Sequence, residues 1–234
     1  MLIDTHCHLN FKVFRSRVQE VLERAAGAGV EQVVVVGSQL KNSKRAAQQA
    51  AEHEAIFAAV GVHPHHVWDY LEKARSQAKI AHESLETIQA SILDELTTEL
   101  TQLVAQPKVV AVGEVGLDYH GYEQTQYENK ELSDNYKAWQ ADFFIAQAKV
   151  AADAGKALII HNREAVSDLL PLIAKHAYLF AEQRVVLHCC EPEQRLLDLA
   201  QAHKFFIGVD GDVTFDQAKQ DFIQAVPLDL LVLE

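Results

Sequence analysis

The chain has 234 residues, of which 49% are hydrophobic, and its 33 acidic and 21 basic residues give a formal net charge of −12. This length and composition predict one globular domain with a large core. The charge excludes a protein that holds a nucleic-acid backbone by bulk electrostatics, so any recognition of phosphate must be local. Three cysteines, two of them adjacent, do not form a disulfide framework.

Neither a signal peptide nor a membrane span is evident in the sequence. Asp4 and His6 interrupt the first apolar run almost at once. No apolar stretch approaches the ~18 residues that a transmembrane helix needs. We therefore expect a soluble cytoplasmic protein with no membrane partner.

Strand-like runs alternate with helical patterns along the whole chain. The predicted strands are residues 2–5, 32–36, 56–62, 109–115, 157–160, 184–187, 205–209 and 230–233. The helical patterns between them are residues 14–28, 39–54, 67–105, 132–154, 164–180, 191–203 and 214–225. Some strands are apolar throughout, which is typical of parallel strands covered on both faces. This alternation predicts an α/β protein with a (β/α)8 TIM barrel, and a doubly wound open sheet is the alternative.

Two connections are longer than such a barrel needs. Residues 67–105 have the length of two helices, and residues 119–135 form a polar loop that contains Tyr119, Tyr122 and Tyr127. Both follow strands, so both should lie over the C-terminal mouth of the barrel. No linker divides the chain, which predicts a single domain over residues 1–234. Because the chain stops where the last strand ends, we expect a barrel that is truncated there and lacks its C-terminal helix.

Ionisable residues stand at the ends of five predicted strands. They are His6 and His8, His63 and His65, Glu114, His161, and His188. Successive side chains of a strand alternate between faces, so His6 and His8 point the same way. A barrel gathers its strand C-termini around one mouth, where these side chains should meet. Imidazole and carboxylate bind ions such as Zn²⁺, Mn²⁺ and Mg²⁺, and the two oxygens of Glu114 could bridge two of them.

Five segments carry a resemblance to a known family. They are Asp-Thr-His-Cys-His at 4–8, Gly-Val-His-Pro-His at 61–65, Gly-Glu-Val-Gly-Leu-Asp-Tyr at 113–119, His-Asn-Arg-Glu at 161–164 and Leu-His-Cys at 187–189. Together they resemble the TatD family of metal-dependent deoxyribonucleases, which are amidohydrolase-type metal barrels, and the resemblance covers essentially the whole chain. It implies a hydrolase that cleaves phosphodiester bonds in DNA with a metal-activated water at a two-metal site.

The resemblance also implies roles for individual residues. It places His6 and His8 on one divalent ion, His161 and His188 on the other, and Glu114 between the two. The ions would be Zn, Mg or Mn. It makes Glu114 and His63 catalytic and places His65 beside the substrate. DNA would be held weakly, because the chain is acidic.

Some positions leave alternatives open. Arg163 could hold a phosphate bidentately, or it could pair with Glu164 or Asp168. Asp118 could orient a histidine as a hydrogen-bond acceptor, or it could cap the following loop. His66 is expected on the surface.

The end of the sequence departs from the family pattern. Members usually continue the last strand into Glu-Thr-Asp, whereas this chain stops at Glu234, which matches the glutamate. The family's aspartate, a metal ligand, is therefore absent from this sequence. Two other functions remain alternatives: a metal-dependent amide or ester hydrolase on the same barrel, and an inactive remnant that binds metal without turnover.

Overall fold

The computed structural model describes residues 2–123, 128 and 131–234. Eight strands of this part form one parallel sheet in which each strand pairs with its neighbours in sequence. They are β1 (Leu2–Cys7), β2 (Val30–Val36), β3 (Ile56–Val60), β4 (Val109–Asp118), β5 (Ala157–Arg163), β6 (Val185–His188), β7 (Phe206–Val209) and β8 (Leu231–Leu233). Strictly sequential order confirms the predicted barrel and excludes the doubly wound sheet, whose strand order reverses.

Helices connect the strands on the outside of the barrel. Within the described residues they are α1 (Val18–Gly27), α2 (Leu40–Glu52), α3 (Val67–Ala81), α4 (Leu85–Val104), α5 (Asp134–Asp153), α6 (Val166–Lys175), α7 (Gln194–His203) and α8 (Gln217–Gln224). Residues 67–105 thus form two helices, as their length predicts. None of the helices in the described part combines the length and apolarity needed to cross a bilayer.

Local side-chain chemistry sets where several helices begin. The hydroxyl of Ser84 accepts a hydrogen bond from the backbone N–H of Thr87 at the start of α4, and Ser133 does the same for Tyr136 at the start of α5. The carboxylate of Asp216 accepts from two N–H groups of α8. These caps satisfy backbone donors that have no partner inside the helix, so each helix begins at a defined residue.

The central strand β4 runs three residues beyond its predicted end at position 115. Gly116 makes this possible, because its φ is +141° and a Cβ there would lie 2.0 Å from the carbonyl oxygen of His161. Gly113 is similarly tight, since a Cβ would lie 2.6 Å from Ile159. Only glycine allows β4 to approach β5 this closely, and the approach carries the strand on to Asp118.

The barrel is nearly closed between its first and last strands. No backbone ladder joins β8 to β1 in the described residues, but the hydroxyl of Thr5 donates a 2.8 Å hydrogen bond to the carbonyl oxygen of Leu233. Leu2, Ile3 and Leu233 are exposed beside this contact. We call this junction the seam. In the described residues this side-chain hydrogen bond joins the two strands, whereas backbone hydrogen bonds join each of the other strand pairs.

Candidate metal centre

The carboxylate of Glu114 lies at the centre of the barrel mouth. The residue is 4% exposed, although it sits in the middle of β4 and not at its end. Its Oε1 is 2.7 Å from His161 Nδ1, 3.4 Å from His63 Nε2 and 3.5 Å from His188 Nε2. Its Oε2 is 3.5 Å from His6 Nε2. The two oxygens therefore face different histidines.

The two histidines of the first strand lie side by side. Their ring centroids are 5.0 Å apart, and the His8 Nδ1–H donates a 3.0 Å hydrogen bond to the carbonyl oxygen of Val36. That bond fixes the tautomer and leaves Nε2 of His8 with its lone pair free. Both ring nitrogens of His6 are buried without a hydrogen bond among the described residues. A divalent ion would satisfy the His6 nitrogen that carries no proton.

His161 is held from both sides. Its Nε2 lies 3.1 Å from Asp118 Oδ2, opposite the contact with Glu114. Asp118 also accepts a hydrogen bond from the backbone N–H of His120 at 3.0 Å and one from the hydroxyl of Tyr122 at 2.6 Å. Both readings of Asp118 are thus confirmed, since it orients a histidine and caps the following loop.

His188 is held by a residue at the end of the chain. Glu234 Oε2 accepts hydrogen bonds from His188 Nδ1 at 3.0 Å and from the backbone N–H of Cys189 at 2.8 Å. The Glu234 side chain is 2% exposed, and its Oε1 lies 3.9 Å from His6 Nδ1. Gly208 leaves the space for it, because a Cβ there would lie 2.1 Å from Oε2. The sequence analysis matched Glu234 to the glutamate of the family pattern at the end of the last strand but did not predict that it contacts His188.

The side chains around Glu114 form four groups whose possible ligand atoms lie within 4.8 Å of one another. They are His6, His8 and Glu114; His63, Glu114 and His161; His6, His188 and Glu234; and His63, His65 and Asp118. The five predicted ligands therefore converge at one mouth. That His161 and His188 share an ion stays a prediction: their ring centroids lie 6.3 Å apart.

Burial and neighbouring charges shift the pKa values of the site in opposite directions. Burial lowers the pKa of His161, but its hydrogen bonds to Asp118 and Glu114 outweigh this and raise it to about 9. Burial, together with the nearby His6, lowers the pKa of His8 to about 4. Burial raises the pKa of Glu114, yet the surrounding histidines bring it well below its ordinary value. The site thus holds an ionised carboxylate, a neutral imidazole and a charged one at neutral pH.

Comparison of the chain with known proteins identifies its family. The sequence profile described as "TatD related DNase" matches residues 3–234. The chain belongs to the TatD family. Within that family it is 31% identical over 237 residues to the uncharacterised metal-dependent hydrolase YabD of Bacillus subtilis strain 168, covering 100% of this chain and 79% of YabD.

Two further TatD relatives are informative. The chain is 26% identical over 227 residues to the 3'-5' ssDNA/RNA exonuclease TatD of Escherichia coli K12, covering 97% of this chain and 74% of the relative. The crystal structure of YjjV, a TatD homologue from the same bacterium, matches with a TM-score of 0.75 at 26% identity, covering 100% of this chain and 78% of YjjV.

The mouth of this TatD barrel opens into a cleft of about 910 Å³. Arg163 lines it, with its guanidinium 5.4 Å from the ring centre of Tyr122 and one nitrogen 3.5 Å from the tyrosine hydroxyl. Arg163 forms no ion pair with Glu164 or Asp168, which bond other described side chains. The pairing alternative for Arg163 is therefore wrong. Tyr127 of the polar loop lies outside the described residues.

The turn after β3 holds three histidines, His63, His65 and His66. His63 Nδ1 accepts a hydrogen bond from the backbone N–H of His65 at 3.2 Å, which leaves the proton of a neutral ring on Nε2. His65 lines the cleft. The surface prediction for His66 is wrong, because this residue is 8% exposed and its Nδ1 lies 2.7 Å from the amide of Gln39. The short 3₁₀ helix Pro64–His66 turns the side chain inward.

Four lysines and arginines of the cleft were missed by the sequence analysis. They are Lys12, Arg15, Lys41 and Arg45, and Arg163 makes a fifth cation in the lining. In the described part of the chain, Glu114 is the sole carboxylate that faces them in the cleft. Their position could have identified them, because they lie in the segments that follow β1 and β2, on the mouth side of the barrel.

Proposed function

We propose that this TatD protein is a metal-dependent hydrolase that cleaves phosphodiester bonds in DNA with the help of two divalent ions. The observation that carries the proposal is the environment of Glu114: a buried, ionised carboxylate whose two oxygens face separate groups of histidines. A carboxylate between two sets of imidazoles is the arrangement that a bridging ligand needs.

The donors present fit such ions. His6 has two buried ring nitrogens without hydrogen bonds, and Glu234 Oε1 is buried in the same state among the described residues. We assign His6 and His8 to one ion, His161 and His188 to the other, and Glu114 to both. When bound, Zn²⁺, Mg²⁺ or Mn²⁺ lowers the pKa of water and offsets the charge of a phosphodiester.

The protein's own groups prepare the site for this reaction. Asp118 and Glu234 hold the rings of His161 and His188 in fixed orientations. His63 presents Nε2–H toward the centre, and burial together with His161 lowers its pKa, so the ring stays neutral and can donate to a phosphate oxygen. His65 and Arg163 line the cleft outside it, where they would contact the substrate.

The charge of the cleft favours a phosphodiester over an amide or ester. Five cations and a single carboxylate line it in the described residues, although the chain as a whole carries −12. A neutral amide gains nothing from such a surface, whereas a nucleic-acid strand is attracted to it. The name of the Escherichia coli relative, a 3'-5' ssDNA/RNA exonuclease, supports the same substrate class.

The test is a metal-reconstitution assay. Protein stripped with a chelator is reloaded with zinc, magnesium or manganese and offered labelled single-stranded DNA, duplex DNA, and a set of aryl esters and amides. We expect DNA to be shortened only after reloading, and His63→Ala to reduce the rate. Ester or amide hydrolysis without DNA cleavage in any metal would overturn the proposal.

A further inference from the structure

One wall of the cleft is built from the segment after β1 and the start of α2. It carries Phe11, Lys12, Arg15, Lys41 and Arg45, and we call this set the cationic rim. Lys12, Arg15 and Lys41 are exposed and Arg45 is half-buried. None of the four cations forms an ion pair with an acidic residue in the described part of the chain. Their charges are therefore available to a ligand.

Two rim cations, Lys41 and Arg45, lie on α2 at positions where positive charge destabilises the helix. Lys41 stands in the first turn of α2, where the helix dipole disfavours a cation, and this turn has no acidic residue. Lys41 and Arg45 are four residues apart, so two like charges share one helix face and repel each other. An anion bound between them would relieve both effects. Residues that break local rules without a compensating contact are characteristic of functional surfaces.

Buried hydrogen bonds fix the rim in place. The Asn10 side chain is fully buried, and its amide donates to the carbonyl oxygens of Val36 at 2.9 Å and Asn42 at 3.1 Å. Arg45 in turn donates to the Asn10 carbonyl oxygen at 3.3 Å. The segment after β1 and the start of α2 are thus one unit attached to β2. A preorganised surface loses less entropy when it binds.

Phe11 adds an aromatic surface next to these charges. Its ring stacks on His8 with centroids 4.5 Å apart and planes 12° apart, and the residue is still 38% exposed. Lys12 follows it directly. An aromatic ring beside unpaired cations is the combination that binds single strands, where bases stack and phosphates pair with cations.

We propose that the cationic rim is a binding surface for the single strand that flanks the bond being cleaved, with phosphates on the four cations and a base on Phe11. This inference rests on the proposed function. We assign a single strand because the rim offers the exposed ring of Phe11, on which an unpaired base can stack. A duplex presents its backbone without an unpaired base for Phe11 to stack on.

The test compares two substrates in variants with matched controls. The double variant Arg15→Gln/Lys41→Gln removes two rim charges. Its control, Arg17→Gln/Lys44→Gln, removes one charge two residues after Arg15 and another on α2 that pairs with Glu99 at 2.6 Å. A single-stranded oligonucleotide spans the rim, whereas bis(p-nitrophenyl) phosphate reaches only the centre. Binding of a phosphorothioate single strand is followed in parallel by fluorescence anisotropy.

We expect the rim variant to weaken oligonucleotide binding and raise the KM for the oligonucleotide, while kcat/KM for the small diester falls much less. Each lost phosphate contact should reduce the slope of log K against log salt by about 0.7. For two contacts, the advantage of the parent over the rim variant in oligonucleotide affinity should therefore be about 25-fold larger at about 0.1 M salt than at about 1 M salt. Phe11→Leu should weaken binding of a normal strand but not of an abasic strand.

The outcomes separate the rim from the proposed function. If the rim variant and the control variant bind the oligonucleotide equally, the rim proposal is wrong, whether or not the enzyme cuts DNA. If the parent cleaves neither substrate, the proposed function fails, and anisotropy still decides whether the rim binds a strand. Equal, rim-dependent binding of duplex would overturn the assignment to single strands.

Discussion

Replacing Glu114 with glutamine should remove most of the bound metal while the barrel stays folded. Glutamine has nearly the same shape, so packing around the buried side chain is kept. The change removes one negative charge from a group whose oxygens lie 2.7–3.5 Å from nitrogens of four histidines. A divalent ion held among these histidines loses its central anionic partner.

The size of this effect follows from the distances. At an effective dielectric constant of about 20, two unit charges 4 Å apart interact by about 4 kcal/mol, and a divalent ion in contact with Glu114 interacts more strongly. Since each 1.4 kcal/mol is about tenfold in affinity, Glu114→Gln should weaken metal binding by at least ~10³-fold. Loss of hydrolysis should follow the loss of metal.

Metal content by mass spectrometry and affinity by calorimetric titration would measure this loss. The matched control is Glu164→Gln, which changes the same residue type at the rim of the mouth, where the side chain is 56% exposed and pairs with His120. A Glu114→Gln protein that holds as much metal, as tightly, as the parent and the control would refute the bridging role. His63→Ala should affect the substrate more than the metal.

Three further results are expected. Burial lowers the pKa of His161, but its hydrogen bonds to carboxylates outweigh this and raise the pKa to about 9. The ring must therefore lose a proton to bind an ion, so metal affinity should rise by up to about tenfold per pH unit toward pH 9. Calorimetry should detect the released proton. Asp118→Asn should lower that pKa, measured by NMR, and weaken metal binding about 10–100-fold. Gly208→Ala should destabilise the protein by about 1–3 kcal/mol in thermal unfolding, because its Cβ would overlap the Glu234 carboxylate.

Each of these has an outcome that contradicts it. Metal affinity independent of pH below 9 would mean that His161 is already neutral or is not a ligand. The same hydrogen bonds should stabilise the metal-free protein fully below about pH 6.5 and cease to do so as the pH rises through about 9, which chemical denaturation can check. An Asp118→Asn protein with parental affinity would make that carboxylate dispensable. Gly211→Ala is the control for Gly208, since its Cβ would meet nothing within 4 Å.

The sequence predicted the barrel and the convergence of its site for one physical reason. Parallel strands covered on both faces give continuous apolar runs, and a barrel brings the ends of all such runs to the same mouth. His6 and His188 are therefore placed together by topology alone, and their rings stack with centroids 3.6 Å apart although 182 positions separate them.

Features that depend on side-chain direction were not predictable in this way. Glu234 could be aligned, but only the space above Gly208 turns its carboxylate toward His188. Lys41 and Arg45 resemble ordinary helix charges until α2 is placed at the cleft. The inward orientation of His66 depends on a single 3₁₀ turn, and so short a turn leaves no hydrophobic periodicity in the sequence from which it could be predicted.

The seam between β1 and β8 gives the metal centre a mechanical role. Among the described residues, the hydrogen bond from the Thr5 hydroxyl to the Leu233 carbonyl joins its two strands, and His6 and Glu234 stand on opposite sides of it with His188 beside them. In the assignment proposed above, the ion on His6 and the ion on His188 would share Glu114, and Glu234 after the last strand holds His188, so the loaded centre would link the first strand to the last. Metal binding would then stabilise the junction between β1 and β8, so slower hydrogen exchange of the β1 backbone amides would report that the site is occupied.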